Sequence, residues 1–467
     1  MYSQTVLLED LAVAPFIVSS FGFFVMGLFD KLFTAPSWQT FTVLAWGWAV
    51  AGGERQTITT YLWLTGATTS KHFSRFYGFL GGALYQARWP LWARIIRCAA
   101  QWVPEADPIV IVVDDSTKKK AGRQSEGVGH YRNGAGSARQ EYRTLRGLNF
   151  VWGIMRVPLP QWPGHRVRVP IGLSLYLKEE QARTLKLPSQ SRSALARAIV
   201  DLGAAQLPAR PIRVLGAGGS ATKDSLQQLP ATVAVVSRML ITGKLSELPL
   251  QRVVPRRGCP PKKGPRLGSP KPLARKRCGW QPHPSEAGAL VQAWQGLWQA
   301  VLPGRLIRMV VVRRPTPLRA RTPGQRKPPP PVEAFFTTAL TLSLEALLVQ
   351  YRERWAVEIT IRESNAWAGF GQDQCRKREC VVSANTLRLA LAAARTLWFV
   401  ETTARTTPLP LGRYRPWYRQ KHAPSQLDIV GLWREALHAA GVFPIPRFAL
   451  ALAKIPQEPE NALLLAA

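Results

Sequence analysis

One short segment constrains the fold more than any other: Ile109-Val-Ile-Val-Val113, followed at once by Asp114 and Asp115. A run of consecutive β-branched apolar residues is typical of a strand buried on both faces, because a strand with one solvated face alternates apolar and polar residues. Strands of that kind occur in sheets that are covered by helices on both sides. The segment therefore predicts an α/β fold.

The segments after Asp115 alternate between strand-like and helix-like patterns. The predicted strands are Leu148–Val157, Val167–Leu177, Ile212–Leu215 and Thr232–Val236, and the predicted helices are Ser191–Leu202 and one that Ser220 caps. The order is three strands, helix, strand, helix, strand. This is the order of an RNase H-like α/β core, which we expect to occupy residues 106–380.

Residues 1–105 are predicted to form a helical N-terminal DNA-binding domain, since apolar residues recur at helical spacing through Trp38–Val50 and Tyr77–Cys98. Two polar stretches, Arg55–Tyr61 and Thr69–Arg75, lie between these helices. Hydroxyl groups with Lys or Arg suit contact with a DNA backbone. The same stretches also suit ordinary capped helix starts, and the sequence leaves both interpretations open.

An apolar segment at Leu11–Leu28 is nearly long enough to cross a bilayer. Glu9 and Asp10 precede it where a signal peptide would carry basic residues. Serines and glycines also interrupt its apolar character. We therefore expect a buried helix and no membrane association.

The charge balance indicates a polyanionic partner. Lys and Arg total 62 against 28 acidic residues, a formal net charge of +34, and such an excess repels itself unless it is neutralised. Because phosphate contacts require many Lys and Arg side chains, the expected partner is nucleic acid.

The five cysteines are odd in number and irregularly spaced, which argues against a disulfide framework and fits a cytoplasmic protein. Cys375 and Cys380 could join Cys259 and Cys278 around zinc. Neither pair has the tight C-x-x-C spacing of a structural zinc site, so zinc is not expected.

A basic, proline-rich insertion is predicted at about residues 240–333. Residues 251–280 hold ten Lys and Arg, including Arg256, Arg257, Lys262 and Lys263, and Glu286 is the only acid between Glu247 and Glu333. Prolines prevent a regular helix or central strand at 256–266. Within the insertion, Ile307–Arg313 is predicted to be a strand that returns to the core, and Arg314–Pro331 a second basic loop. The favoured interpretation is a DNA-contacting surface, with a solvated linker as the alternative.

Two helices are predicted after the insertion, at Leu342–Trp367 and Asn385–Thr403. Residues 381–467 are expected to form a C-terminal helix and a basic, aromatic tail. The basic and aromatic residues of the tail segment Arg413–Lys421 are suited to stacking on bases or binding phosphates. Packing of the same segment on the core is an equally good interpretation.

The first of these helices carries the pattern Tyr351-x-x-Arg354-x-x-x-Glu358. Spacings of three and four residues place all three side chains on one helix face. A carboxylate for a metal, a guanidinium for a phosphate and a phenol would converge there. A surface salt-bridge ladder is the alternative, although a ladder does not need aromatic residues in register.

Cutting or joining a phosphodiester in a fold of this kind uses two metal ions held by carboxylates. Magnesium prefers oxygen ligands, and α/β sheets place ligands at the carboxyl ends of their strands. Asp114 and Asp115 stand at such a position, and alternation along a strand directs one of the two toward the site. A solvated turn would also accommodate the pair.

These motifs together resemble the IS4/IS701 group of DDE transposases. Asp114-Asp-Ser-Thr-Lys118 after an apolar strand resembles the first acidic motif of the group, and Tyr351-x-x-Arg354-x-x-x-Glu358 matches its Y-x(2)-R-x(3)-E signature. Thr337-Thr338 and Leu342-Ser343 also follow the expected order. The resemblance covers about residues 105–375.

The resemblance implies a transposase that binds the inverted repeats of double-stranded transposon DNA and cleaves and joins DNA with Mg²⁺ or Mn²⁺. It also implies a location in the bacterial cytoplasm, in association with the nucleoid. It implies that Asp115 is the first catalytic carboxylate and metal ligand, with Asp114 as its neighbour, and that Glu358 is the third carboxylate and also a metal ligand. Tyr351 and Arg354 would contact DNA phosphate near the transposon end, with Trp355 and Lys118 beside them. A homodimer on DNA is an open option.

Two positions depart from the pattern of the group. Leu215-Gly-Ala217-Gly-Gly-Ser220 has alanine where the group has its second aspartate, and Asn365 stands where the group has a lysine. Alanine cannot coordinate a metal. Asp224 follows seven residues later, roughly 10 Å away along a helix, which is too far for a replacement without rearrangement. We therefore expect impaired cleavage, or a DNA-binding protein without catalysis.

Overall fold

The computed structural model describes residues 19–441 apart from 53, 69–71, 123, 133–142, 250–260, 316–330 and 407–420. These residues form a mixed α/β structure with a mixed sheet of twelve strands, so the predicted α/β class is confirmed. The chain divides into two compact units, the first holding residues 1–106, 115–189 and 357–467 and the second residues 107–114 and 190–356.

The first unit is mainly helical. Its helices are α1 (Ser20–Phe29), α2 (Ala35–Val50), α3 (Ile58–Leu64), α4 (Ser74–Phe79), α5 (Tyr85–Ala100), α6 (Glu179–Thr184), most of α11 (Ala356–Trp367), α12 (Arg378–Arg405) and α13 (Gln426–Ala439). A turn of π-helix, Leu80–Leu84, joins α4 to α5. Its strands are the end of β1 (Ile109–Lys119), with β2 (Gly129–Arg132), β3 (Thr144–Pro158) and β4 (Arg166–Tyr176).

Helix α12 forms the centre of the first unit. Its residues 381–400 are all buried, which a sequence rich in Ala and Leu permits because small side chains allow close packing. The helix packs against β4, α5, α1 and α13. Strand β3 lies between β1 and β2 and pairs antiparallel with β2 and β4.

The second unit is built on parallel strands that continue into antiparallel ones. Its elements are the start of β1, with α7 (Arg192–Gln206), β5 (Ile212–Gly216), α8 (Lys223–Leu226), β6 (Val233–Arg238), β7 (Leu245–Ser246), β8 (Arg266–Gly268), α9 (Pro270–Leu273), β9 (Gln281–Pro282), β10 (Leu290–Leu297), β11 (Leu306–Arg313), β12 (Val332–Thr337) and α10 (Leu344–Arg352). Strands β1, β5 and β6 are parallel, and β12, β11 and β10 follow as antiparallel neighbours.

Several predicted elements need correction. Strand β1 runs to Lys119, so Asp114 and Asp115 lie inside the strand and do not close it. Ser220 ends a short 3₁₀ turn, and Thr222 caps the helix that follows. The predicted helix Leu342–Trp367 is interrupted by a 3₁₀ turn at Glu353–Trp355.

The predicted basic insertion contains regular structure. Strand β10 was not predicted, because its alternation of apolar and polar residues is diluted by glutamine and glycine in Leu290-Val-Gln-Ala-Trp-Gln-Gly-Leu297. It pairs along its whole length with β11, the predicted returning strand. Residues 256 and 257 and most of the second basic loop lie outside the described residues.

A membrane span is not found in the described part of the chain, where every helix is too short or too polar to cross a bilayer. Most of the apolar segment Leu11–Leu28 lies outside the described residues. Its last part belongs to α1, which buries Phe21, Val25 and Phe29.

Candidate active site

The alternation of side chains along β1 separates the residues of the first acidic motif. Successive residues of a strand point to opposite faces, so Asp114 and Lys118 share one face of β1, and Asp115 and Thr117 share the other. Because the strand continues to Lys119, this alternation holds through the whole motif.

Asp115 is held by the neighbouring strand. The Nδ2 atom of Asn149 on β3 donates to Asp115 Oδ2 at 3.0 Å and to Thr117 Oγ1 at 2.9 Å. Asn149 is buried in an otherwise apolar part of β3. A lone amide in a buried strand is the signal from which this contact could have been predicted, since buried polar groups need partners.

Asp114 forms an ion pair with the arginine of the Y-x(2)-R-x(3)-E pattern. Arg354 Nη1 donates to Asp114 Oδ2 at 2.6 Å, and each side chain is 16% exposed. Residue Arg354 lies in the 3₁₀ turn that follows α10. These two residues of the second unit therefore meet although 240 residues separate them in the sequence.

The aromatic residues of the pattern flank this ion pair. The guanidinium carbon of Arg354 lies 6.0 Å from the ring centroid of Tyr351 and 5.9 Å from that of Trp355. The Tyr351 ring packs against Phe335 on β12, with a centroid separation of 4.5 Å. Trp355 is 58% exposed, which leaves its indole available to a partner.

Lys118 contacts α11 at Asn365. Its Nζ donates to Asn365 Oδ1 at 2.5 Å. Gly371 has φ of 72°, and a Cβ there would lie 2.5 Å from Cγ and Cε of Lys118, so glycine makes room for the lysine stem. Burial lowers the pKa of Lys118, and the negative charge of Asp373 acts in the opposite direction.

Glu358 lies in the first turn of α11, partly buried. The predicted approach of Glu358 to Asp115 stays a prediction. Within the first unit, the contact of α11 with β1 at Lys118 is on the face opposite Asp115.

Ala217 directly follows β5 at the carboxyl edge of the parallel strands. The register pairs Val113 with Gly216, so Asp114 and Ala217 are the next residues along the two strands. The backbone at this edge is held by Ser237, whose Oγ donates to the carbonyls of Gly216 at 3.0 Å and Ala217 at 3.2 Å. The position expected for a second carboxylate is therefore occupied by a methyl group.

Asp224 does not replace it. Its Oδ2 accepts a hydrogen bond from Ser191 Oγ at 2.9 Å, so it joins the first turn of α8 to the start of α7. No group of three or more His, Cys, Asp or Glu side chains suited to a metal occurs among the residues the structure describes.

The other predicted DNA contacts divide into two classes. Lys262 and Lys263 are exposed, as a DNA-contacting surface requires, whereas Arg256 and Arg257 lie outside the described residues. In the N-terminal stretch Arg55–Tyr61, Thr57 caps α3 by accepting from the Thr60 amide, which favours the interpretation as a capped helix start.

Comparison with known proteins adds no family. No family model matches the chain, and no curated protein matches it significantly.

Proposed function

We propose that the chain is an insertion-sequence transposase that binds the DNA ends of its element and has an impaired, metal-dependent cleavage site. The observation that carries the proposal is the ion pair between Asp114 and Arg354. It brings together the two motifs on which the resemblance to the IS4/IS701 group rests. A surface salt-bridge ladder along the helix would not direct Arg354 to a strand 240 residues away.

The strand order supports an RNase H-like core. In the first unit β4 pairs with β3, and β3 neighbours β1. In the second unit β1, β5 and β6 are parallel, with α7 before β5 and α8 before β6. An antiparallel start followed by parallel strands is the arrangement that the proposal requires, and strands β7–β12 then form an insertion before the helix that carries Glu358.

The contact of Lys118 with Asn365 supports the same proposal. In the proposed site, the ammonium group of Lys118 on β1 lies beside Asn365, the helix position where the IS4/IS701 transposases have a lysine. The positive charge of that lysine is thus supplied by a residue of another element. It would contact DNA phosphate, as would Arg354 once the phosphate competes for its guanidinium.

The missing carboxylate favours a second candidate function, a transposase-derived DNA-binding protein without catalysis. Ala217 cannot ligate a metal, and Arg354 already neutralises Asp114. Both candidates place the protein in the bacterial cytoplasm on double-stranded DNA, with Mg²⁺ or Mn²⁺ needed only by the first. A homodimer on paired inverted repeats fits either candidate.

The experiment is a binding titration on a labelled duplex that carries the inverted repeat flanking the gene, with a scrambled duplex as competitor. We expect preference for the flanking sequence, and loss of that preference in Arg354→Gln. Equal affinity for both duplexes would contradict the proposal, whereas specific binding without cleavage in Mg²⁺ or Mn²⁺ would select the second candidate.

A further inference from the structure

Helix α12 carries two arginines that are almost completely buried, Arg388 and Arg395. Arg388 is well satisfied, since it donates to the carbonyl oxygens of Ala384 at 3.2 Å and of Gln56, and to the Tyr61 hydroxyl at 3.3 Å. Arg395 is not. Within the described residues its one hydrogen bond is a long one, 3.4 Å, to the carbonyl oxygen of Trp367, and its Nε has no partner.

The charge of Arg395 has weak compensation. Its guanidinium carbon lies 5.3 Å from the ring centroid of Trp48 and 4.9 Å from that of Trp433, so cation–π interactions with two aromatic rings partly stabilise the charge. Burial, together with the positive charge of Arg434, lowers the pKa of Arg395 to about 9, and Glu363 opposes this shift. A buried cation without a hydrogen-bonded counter-charge is costly to the fold.

A small polar cavity adjoins this guanidinium. Its polar lining is Arg168, Thr360, Glu363, Ser364, Arg395, Thr396 and Gln426. Arg168 Nη2 donates to both carboxylate oxygens of Glu363, at 2.8 and 3.0 Å, so that acid is already matched by a cation. The Nε of Arg168 is buried and without a partner, like that of Arg395.

We propose that this cavity of the first unit binds a small inorganic anion of the size of chloride. Two guanidinium groups with unused N–H donors border it, and their positive charges exceed the single charge of Glu363. A water molecule would satisfy the donors and leave the charge uncompensated, whereas an anion does both. The cavity admits one particle of about this size, and the partial exposure of Arg168 and Glu363 gives access from solvent.

The test uses the full-length protein without DNA, in sodium chloride and in sodium gluconate of equal ionic strength. A ligand that binds the folded state alone raises the unfolding temperature by mass action. We expect the Tm to rise with chloride concentration by about 2 °C or more above the gluconate series. Crystals soaked in sodium bromide should show an anomalous scattering peak beside Arg395 Nε.

The variant Arg395→Met keeps the length of the stem and removes the charge, and it should lose the difference between chloride and gluconate. The matched control is Arg388→Met on the same helix, which should lower the Tm in both salts and keep their difference. Equal Tm in both salts for the unmodified protein, or a cavity that holds only water in the bromide-soaked crystals, would overturn the proposal. The bromide measurement stands even where Arg395→Met fails to fold.

Discussion

The ion pair between Arg354 and Asp114 should make a measurable contribution to folding. Its N–O distance is 2.6 Å, and both side chains are 16% exposed, so the pair is a charge-assisted hydrogen bond with limited screening. Bonds of that kind contribute about 1.5–3 kcal/mol, against roughly 0.2–1 kcal/mol for exposed pairs. We therefore expect a coupling energy of about 1.5–3 kcal/mol in a double-mutant cycle of Arg354→Gln and Asp114→Asn.

The assay is equilibrium urea unfolding of the four proteins in the absence of DNA, followed by tryptophan fluorescence and far-ultraviolet circular dichroism. The control cycle uses Arg183 and Glu179, an i,i+4 pair whose side chains are 77% and 74% exposed. Its coupling should be below about 0.5 kcal/mol. A coupling as small as this for Arg354 and Asp114 would refute the contact, and with it the main support for the proposed site.

Three further predictions follow from individual side chains. If Lys118 supplies a charge that contacts DNA, Lys118→Asn should reduce the slope of log affinity against log salt by about 0.9, the value for one phosphate contact. The double variant Lys118→Asn with Asn365→Lys should restore the slope. A double variant with the same slope as Lys118→Asn would show that Lys118 does not contact DNA. The double variant Lys262→Gln with Lys263→Gln should reduce the same slope by up to about 1.8. Its unfolding temperature should not change, because both side chains are exposed. An unchanged slope would show that these two lysines do not contact DNA. Burial raises the pKa of Cys98 to about 11 and that of Cys375 to about 12. Iodoacetamide at pH 8, followed by peptide mass spectrometry, should therefore label the exposed Cys278 well before either of them. Rapid labelling of Cys375 in the folded protein would contradict its burial.

The regular elements of the core were predictable because their patterns are local. Ile109–Val113 identified β1 by its apolar run. The helix predicted over Ser191–Leu202 is found as α7, and Ser191 Oγ caps it by accepting from the Ala194 amide at 3.1 Å. The end of β1 was not predictable, because its polar residues 114–119 continue the strand only through pairing with β3, which depends on residues far away in the sequence.

The residues of the candidate site could be predicted from the sequence, but the contacts between them could not. Asp114, Arg354 and Lys118 were all recognised from their motifs, but the sequence could not show which aspartate pairs with Arg354. That choice depends on the alternation of a strand whose length was underestimated. The 3₁₀ turn at Glu353–Trp355 also rotates Arg354 relative to Glu358, so the shared helix face inferred from spacing alone is an approximation.

We propose that the chain keeps a metal-dependent nuclease site that lacks one carboxylate ligand. The measurement is Mg²⁺- or Mn²⁺-dependent nicking of a supercoiled plasmid that carries the flanking inverted repeats, by the unmodified protein, Ala217→Asp, Ala217→Asn, and Ala217→Asp with Glu358→Gln. We expect Ala217→Asp to nick the plasmid well above the unmodified protein and Ala217→Asn, since a second carboxylate would complete the donor set. The additional Glu358→Gln should abolish this gain. The assignment of these residues would be contradicted if the unmodified protein nicks efficiently and Ala217→Asp does not change the rate. It would also be contradicted if the gain in nicking persists when Glu358→Gln is added.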